Sequence, residues 1–199
     1  MNKNLYQLAI AAFDKANSED PNQEVSDGKE YPKELLYALR MTGMQERYIP
    51  EASEAVKLAV RAQHIQRWKS PRSNFPMDRQ GYLQWRTGLY KFHAETAGNL
   101  MQEVGYENDM VERVRTIISK KALKVNPETQ LMEDVVDLVF IEYYMLGFAT
   151  SHPEYDEAKW LEIIKKTWQK MSPRAHDFVL AGKIKLPEAL VPLILKAVQ

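Results

Sequence analysis

The sequence predicts an all-α fold, and three observations carry that expectation. Apolar residues recur at helical spacing along nearly the whole chain, prolines fall where helices begin or loops run, and no segment alternates with period two. With 199 residues, 45% of them hydrophobic, one sizeable core is affordable, and a single domain over residues 1–199 is expected. The spacing predicts a bundle of eight to nine helices.

Taken in order, Leu5, Leu8, Ala9, Ala12, Phe13 and Ala16 form one face of a first helix. The stretch from Asn17 to Tyr31 is polar and rich in turn formers, so a loop is expected there. Pro32 suits the first turn of a second helix, whose apolar face is Leu35, Leu36, Leu39 and Met44. Beyond Pro50, Glu51 to Trp68 reads as a third helix with Ala55, Leu58, Ala59, Ala62 and Ile65 inward. Pro71 and Pro76 make Lys69 to Asp78 a loop. A long fourth helix runs from about Arg79 to Val104 and stops at Gly105, a C-terminal cap.

Asn108 is placed to cap a fifth helix ending near Lys121. Pro127 opens a sixth, which runs to about Phe148 and is apolar on almost every side, as a buried central helix would be. Further helices are read over Glu154 to Met171, Pro173 to Ala181 and Pro187 to Val198.

Composition excludes several classes of function. The absence of cysteine removes disulfide scaffolds, thiolate zinc sites and cysteine nucleophiles. No run approaches the roughly 18 apolar residues of a spanning helix, and the amphipathic start does not read as a signal peptide. A soluble, cytoplasmic protein without a membrane partner is expected. The formal charge is zero, so any electrostatic role must arise from uneven distribution.

That distribution is polarised. From Arg61 to His93 there are seven basic residues (Arg61, Arg67, Lys69, Arg72, Arg79, Arg86 and Lys91) against one acid, Asp78. From Val125 to Ala158 there are eight acids and no lysine or arginine. Mutual neutralisation across helix contacts would account for the two blocks. So would a ligand, and the residue types of the basic block favour an anionic one. Arginine forks match phosphate oxygens in pairs, and Trp68, Phe75, Tyr82, Trp85 and Tyr90 are interleaved with them. Arg67, Arg72, Arg79 and Arg86, with Trp68 and Trp85 for stacking, are therefore the candidate ligand contacts. A phosphorylated small molecule or nucleotide fits better than a nucleic-acid duplex, given the zero net charge.

Within the acidic block, Glu133, Asp134 and Asp137 share faces of an otherwise apolar helix. Buried carboxylates need cations, so a structural ion pair with Arg61, Arg67, Arg86 or Lys120 is one expectation and a metal is the other. His64 and His93 would complete a metal site, since imidazole with carboxylate suits a first-row divalent ion. His152 and His176 receive no role.

Several motifs together resemble a known group. Gln63-His64-Ile65-Gln66-Arg67-Trp68, Pro71-Arg72, Phe75-Pro76-Met77-Asp78-Arg79, Tyr82-Leu83-Gln84-Trp85-Arg86, His93-Ala94-Glu95-Thr96-Ala97 and Glu133-Asp134-Val135 resemble a family of uncharacterised bacterial and fungal proteins, a domain of unknown function. The likeness covers most of the chain and implies a single domain, with no reaction attached.

The residue order is also distantly similar to the HD superfamily of all-α, metal-dependent phosphohydrolases. In that pattern a His on one helix precedes a His-Asp doublet on the next and an Asp on a later one. His64, His93 and Asp134 match in order, while Ala94 stands where the doublet Asp belongs. The resemblance implies a hydrolase of phosphorylated molecules in which His64, His93 and Asp134 hold a divalent metal. Glu133 or Asp137 would orient the ligand or act as general base. The alternative is a non-catalytic protein that binds an anion, nucleotide or RNA through residues 61–93.

Overall fold

The computed structural model describes residues 3–198, which divide after Met132 into two compact units. Both are helical, and among the described residues the only strands form one short hairpin. No described helix is long and apolar enough to cross a membrane.

In the first unit, α1 (Lys3–Ser18) leads into strands β1 (Gln23–Ser26) and β2 (Lys29–Pro32). The hairpin replaces part of the loop expected from composition. Asp27 and Gly28 both take positive φ (51° and 74°), the backbone that a tight two-residue hairpin requires, and Ser26 pairs with Lys29. A loop side chain then starts α2 (Lys33–Tyr48): Asp20 accepts the N–H of Glu34 at 3.0 Å, because Pro32 has no side-chain oxygen to offer.

Helix α3 (Glu54–Ala62) is the axis of this unit and packs against α1, α2, α4 and α5. Its Ala55, Val56, Leu58, Ala59, Val60 and Ala62 are all buried, and three small alanines let neighbouring helices approach closely. Ser53 caps it by accepting from Val56 N. The helix ends earlier than periodicity suggests. Gln66 adopts φ 51°, and the chain leaves through two single 3₁₀ turns, Arg67–Lys69 and Arg72–Asn74.

Asp78 caps α4 (Arg79–Glu103) through Gly81 N at 2.7 Å. A Cβ at Gly81 would lie 2.1 Å from the Pro76 carbonyl oxygen, so glycine is required for the preceding loop to fold back there. Gly105, at φ 99°, ends the helix as expected. Helix α5 (Asn108–Ile118) begins with Asn108 already helical, so Glu107 occupies the cap position and the Asn108 side chain accepts from Gln102 instead.

Helix α6 (Pro127–Val139) is the next element, and the long apolar run is not one regular helix. A π turn at Phe140–Tyr144 interrupts it before α7 (Met145–Thr150), so ten α-helices stand among the described residues instead of the expected eight or nine. The second unit continues with α8 (Glu157–Lys170), α9 (Pro173–Leu180) and α10 (Val191–Val198). Here α8 packs on α10, burying Trp160, Ile164, Ile194 and Ala197.

Candidate functional site

The early end of α3 places the basic block. In its αL conformation Gln66 turns the chain, and its N–H is accepted by Asn17 Oδ1 at 2.9 Å. Asn17 is itself buried, and its amide reaches the Glu34 carbonyl at 3.5 Å. One side chain therefore ties α1 to the turn carrying Arg67 and to the start of α2. A non-glycine residue held at positive φ stores strain that the surrounding contacts must hold.

His64 sits between Glu34 and Arg67. Arg67 Nη1 donates to His64 Nε2 at 2.6 Å, and Glu34 Oε2 lies 3.3 Å from His64 Nδ1. An arginine can only donate, so Nε2 accepts and the proton of the neutral ring stays on Nδ1, directed at Glu34. Tyr37 stacks on the imidazole at 4.0 Å. Burial, followed by the charges of Arg67, Lys120, Lys33 and Arg86, holds His64 well below its ordinary pKa. Glu34, only 7% exposed, is pushed up to about 7 chiefly by burial, with Arg67 opposing.

His93 lies beside it, the two rings 5.8 Å apart. Its Nδ1 is 2.8 Å from the Ile65 carbonyl oxygen, and its buried Nε2 has no hydrogen-bond partner among the described residues. Burial, then His64, pulls His93 down to about 3.

The other predicted contacts sort into two kinds. Arg72 is structural in its geometry, donating to the carbonyls of Phe75 at 3.0 Å and Asp78 at 3.2 Å and so tying the loop to α4. Arg86 is held by two phenols, Tyr90 at 2.8 Å and Tyr82 at 3.0 Å. The Arg67 guanidinium lies over Trp85, 5.2 Å from the ring centre, and the Trp85 indole donates to Ser70 O at 2.8 Å. Trp68 is half-buried in the 3₁₀ turn, and Arg79 is exposed at the start of α4. Among the described residues no carboxylate ion-pairs with Arg67, Arg72, Arg79 or Arg86. Elsewhere in the block Arg61 is forked onto Asp14 at 2.7 Å through two nitrogens, and Lys91 pairs with Glu95 at 3.7 Å.

A second strained stretch borders the cluster. Lys120, Ala122 and Lys124 all take positive φ (55°, 53° and 74°) in the turn after α5. Lys120 Nζ stands 5.6 Å from the Tyr90 ring.

Glu133, Asp134 and Asp137 belong to the second unit. Lys170 Nζ binds Glu133 Oε1 at 3.1 Å and also Asp137, and Asp134 accepts from Ser172 N at 2.8 Å and Ser172 Oγ at 2.6 Å. A structural cation for Glu133 and Asp137 is thus Lys170, which sequence reasoning did not select. Of the three metal ligands expected, only His64 and His93 share a unit. No group of three or more His, Asp or Glu suited to a metal occurs among the described residues.

Residues 7–194 match the family model described as a domain of unknown function, DUF4202. The chain belongs to that family. No curated protein and no solved structure matches this DUF4202 chain. Sequence reasoning missed Glu34, Asn17, Lys170 and Ser172 here, because each acts on a residue distant in sequence and none stands in a recognisable local motif.

Proposed function

We propose that this DUF4202 protein binds a phosphorylated small molecule through Arg67 and Arg86, with Lys120 and Lys33 adding positive field. The observation that carries the reading is the missing counter-charge. Arg67 and Arg86 are fixed by an imidazole and two phenols, neutral partners that orient a guanidinium without cancelling it. The nearby acid, Glu34, is raised to about 7, so at neutral pH it cancels only part of the charge. An anion is what this arrangement leaves room for electrostatically, and Trp85 fixes the plane of Arg67 for a bidentate contact.

The phosphohydrolase reading adds a divalent metal, and the lone pair on His93 Nε2 favours it. The donor set fits a cation poorly. Both nitrogens of His64 are engaged, and the surroundings of the two imidazoles are positive. These residues suit the binding of an anion better than metal-dependent hydrolysis.

The test is thermal unfolding with millimolar inorganic phosphate and a panel of phosphate monoesters, at constant ionic strength. A ligand at about 100 times its Kd stabilises the fold by about 2.7 kcal/mol. The Arg67→Met, Arg86→Met double variant should fold and lose that shift. No shift in the native chain, or an equal shift in the variant, would overturn the proposal.

A further inference from the structure

Resting on the anion-binding reading, we propose that His93 Nε2 accepts a hydrogen bond from the ligand, so that the site selects an oxyanion bearing an O–H group over one without.

Ile65 O can only accept, and it lies 2.8 Å from His93 Nδ1, so Nδ1 carries the ring proton. In the neutral imidazole Nε2 then presents a bare lone pair. The residue is 2% exposed, and no group among the described residues donates to that atom. Buried acceptors in native folds are almost always satisfied, so an orphan in a candidate site marks where a partner belongs. Arg67 Nη1, a strong donor in the same cluster, is committed to His64. Whatever fills the position must bring its own hydrogen.

The cationic surroundings ask for an anion while this lone pair asks for a donor. Few ligands satisfy both at once. Sulfate is a dianion with four acceptors and would set a lone pair against a lone pair. Inorganic phosphate at neutral pH always keeps at least one O–H, and a phosphate ester can supply one from a neighbouring hydroxyl. Both share the chemistry the site reads, a negative head with a hydroxyl hydrogen beside it. Discrimination of this kind is steep, because the wrong ligand leaves a buried polar atom unpaired.

The experiment compares binding to the full chain at constant ionic strength, read by Trp fluorescence and by thermal shift. Inorganic phosphate is measured against sulfate and monofluorophosphate at pH 7, the latter being a phosphate isostere without the O–H. Glycerol phosphate is measured against methyl phosphate at pH 8, where neither phosphoryl group retains a proton. Preference of about tenfold or more for inorganic phosphate over both sulfate and monofluorophosphate places the reading on the phosphoryl O–H; the same preference for glycerol phosphate over methyl phosphate places it on a ligand hydroxyl. Either result supports the proposal. His93→Phe should abolish the preference while sulfate still binds, and His93→Asn serves as the second variant if the first fails to fold.

Equal affinity within both comparisons in the native chain overturns the proposal and leaves anion binding intact. No binding of any of the five probes overturns the anion reading itself. Retention of a divalent metal by the native chain that is lost on His93→Phe also overturns it, since the lone pair would then be a metal ligand.

Discussion

Asn17 accepts the backbone N–H of Gln66 at 2.9 Å, and Gln66 is the left-handed residue beyond the end of α3, one position before Arg67. A buried amide on α1 thus fixes the direction in which a guanidinium on another element leaves the helix. Replacing Asn17 with Ala leaves the part-buried Gln66 N–H and the Glu34 carbonyl without this partner. The expected cost is about 1–3 kcal/mol in urea denaturation, together with weaker phosphate binding in the protein that remains folded. A variant with unchanged stability would show that the turn holds itself.

Much of the architecture was legible because it is local. The spacing of apolar residues, the prolines and Gly105 placed nearly every helix. What escaped depends on contacts between distant segments. Periodicity carries on from Ala62 through Ile65, so nothing in the local sequence announces that Gln66 will invert its φ; the Asn17 contact does that. Asp27-Gly28 did carry a hairpin signal, hidden within a stretch polar enough to pass for a loop. The π turn at Phe140–Tyr144 has the same apolar composition as the helix it interrupts, so periodicity is blind to it. Glu34 and Lys170 show the limit for site residues: each is an ordinary charged side chain until a distant helix brings its partner.

Glu34 and the two histidines oppose each other in pH dependence. The unfolded chain releases the Glu34 proton near 4.5 and the folded chain near 7, so this group stabilises the fold in acid and loses that contribution as pH rises between the two. His93 does the reverse: the unfolded chain takes up its proton near 6.5, the folded chain only near 3, so stability falls as pH falls through that window. His64 acts in the same direction as His93. Between about pH 5 and 6 the two histidines together outweigh Glu34, so stability should rise with pH. Glu34→Gln removes the opposing contribution and should steepen that rise by about 1 kcal/mol per unit. Urea midpoints at three pH values measure both slopes, and an unchanged slope in the variant would show that Glu34 titrates normally in the fold.

Lys170 answers a question the acidic helix raises in isolation, namely what keeps buried carboxylates ionised. Its ammonium binds Glu133 and Asp137, whose side chains are 1% and 3% exposed, while its own stem remains about one-third accessible. Burial alone would lower the lysine pKa, yet the two carboxylates, Asp137 foremost, outweigh it and raise the value. Exchanging Lys170 for Met keeps the apolar stem and removes only the charge. Two buried acids then face each other without this cation, and breaking such a pair costs roughly 3 kcal/mol or more. Adding Asp137→Asn to Lys170→Met should recover part of the loss, because one of the uncompensated charges disappears with it. A double-mutant cycle by chemical denaturation measures that coupling. Additive losses would mean that the ammonium and the Asp137 carboxylate contribute independently, and the stability of this helix pair would then have to come from its apolar contacts alone.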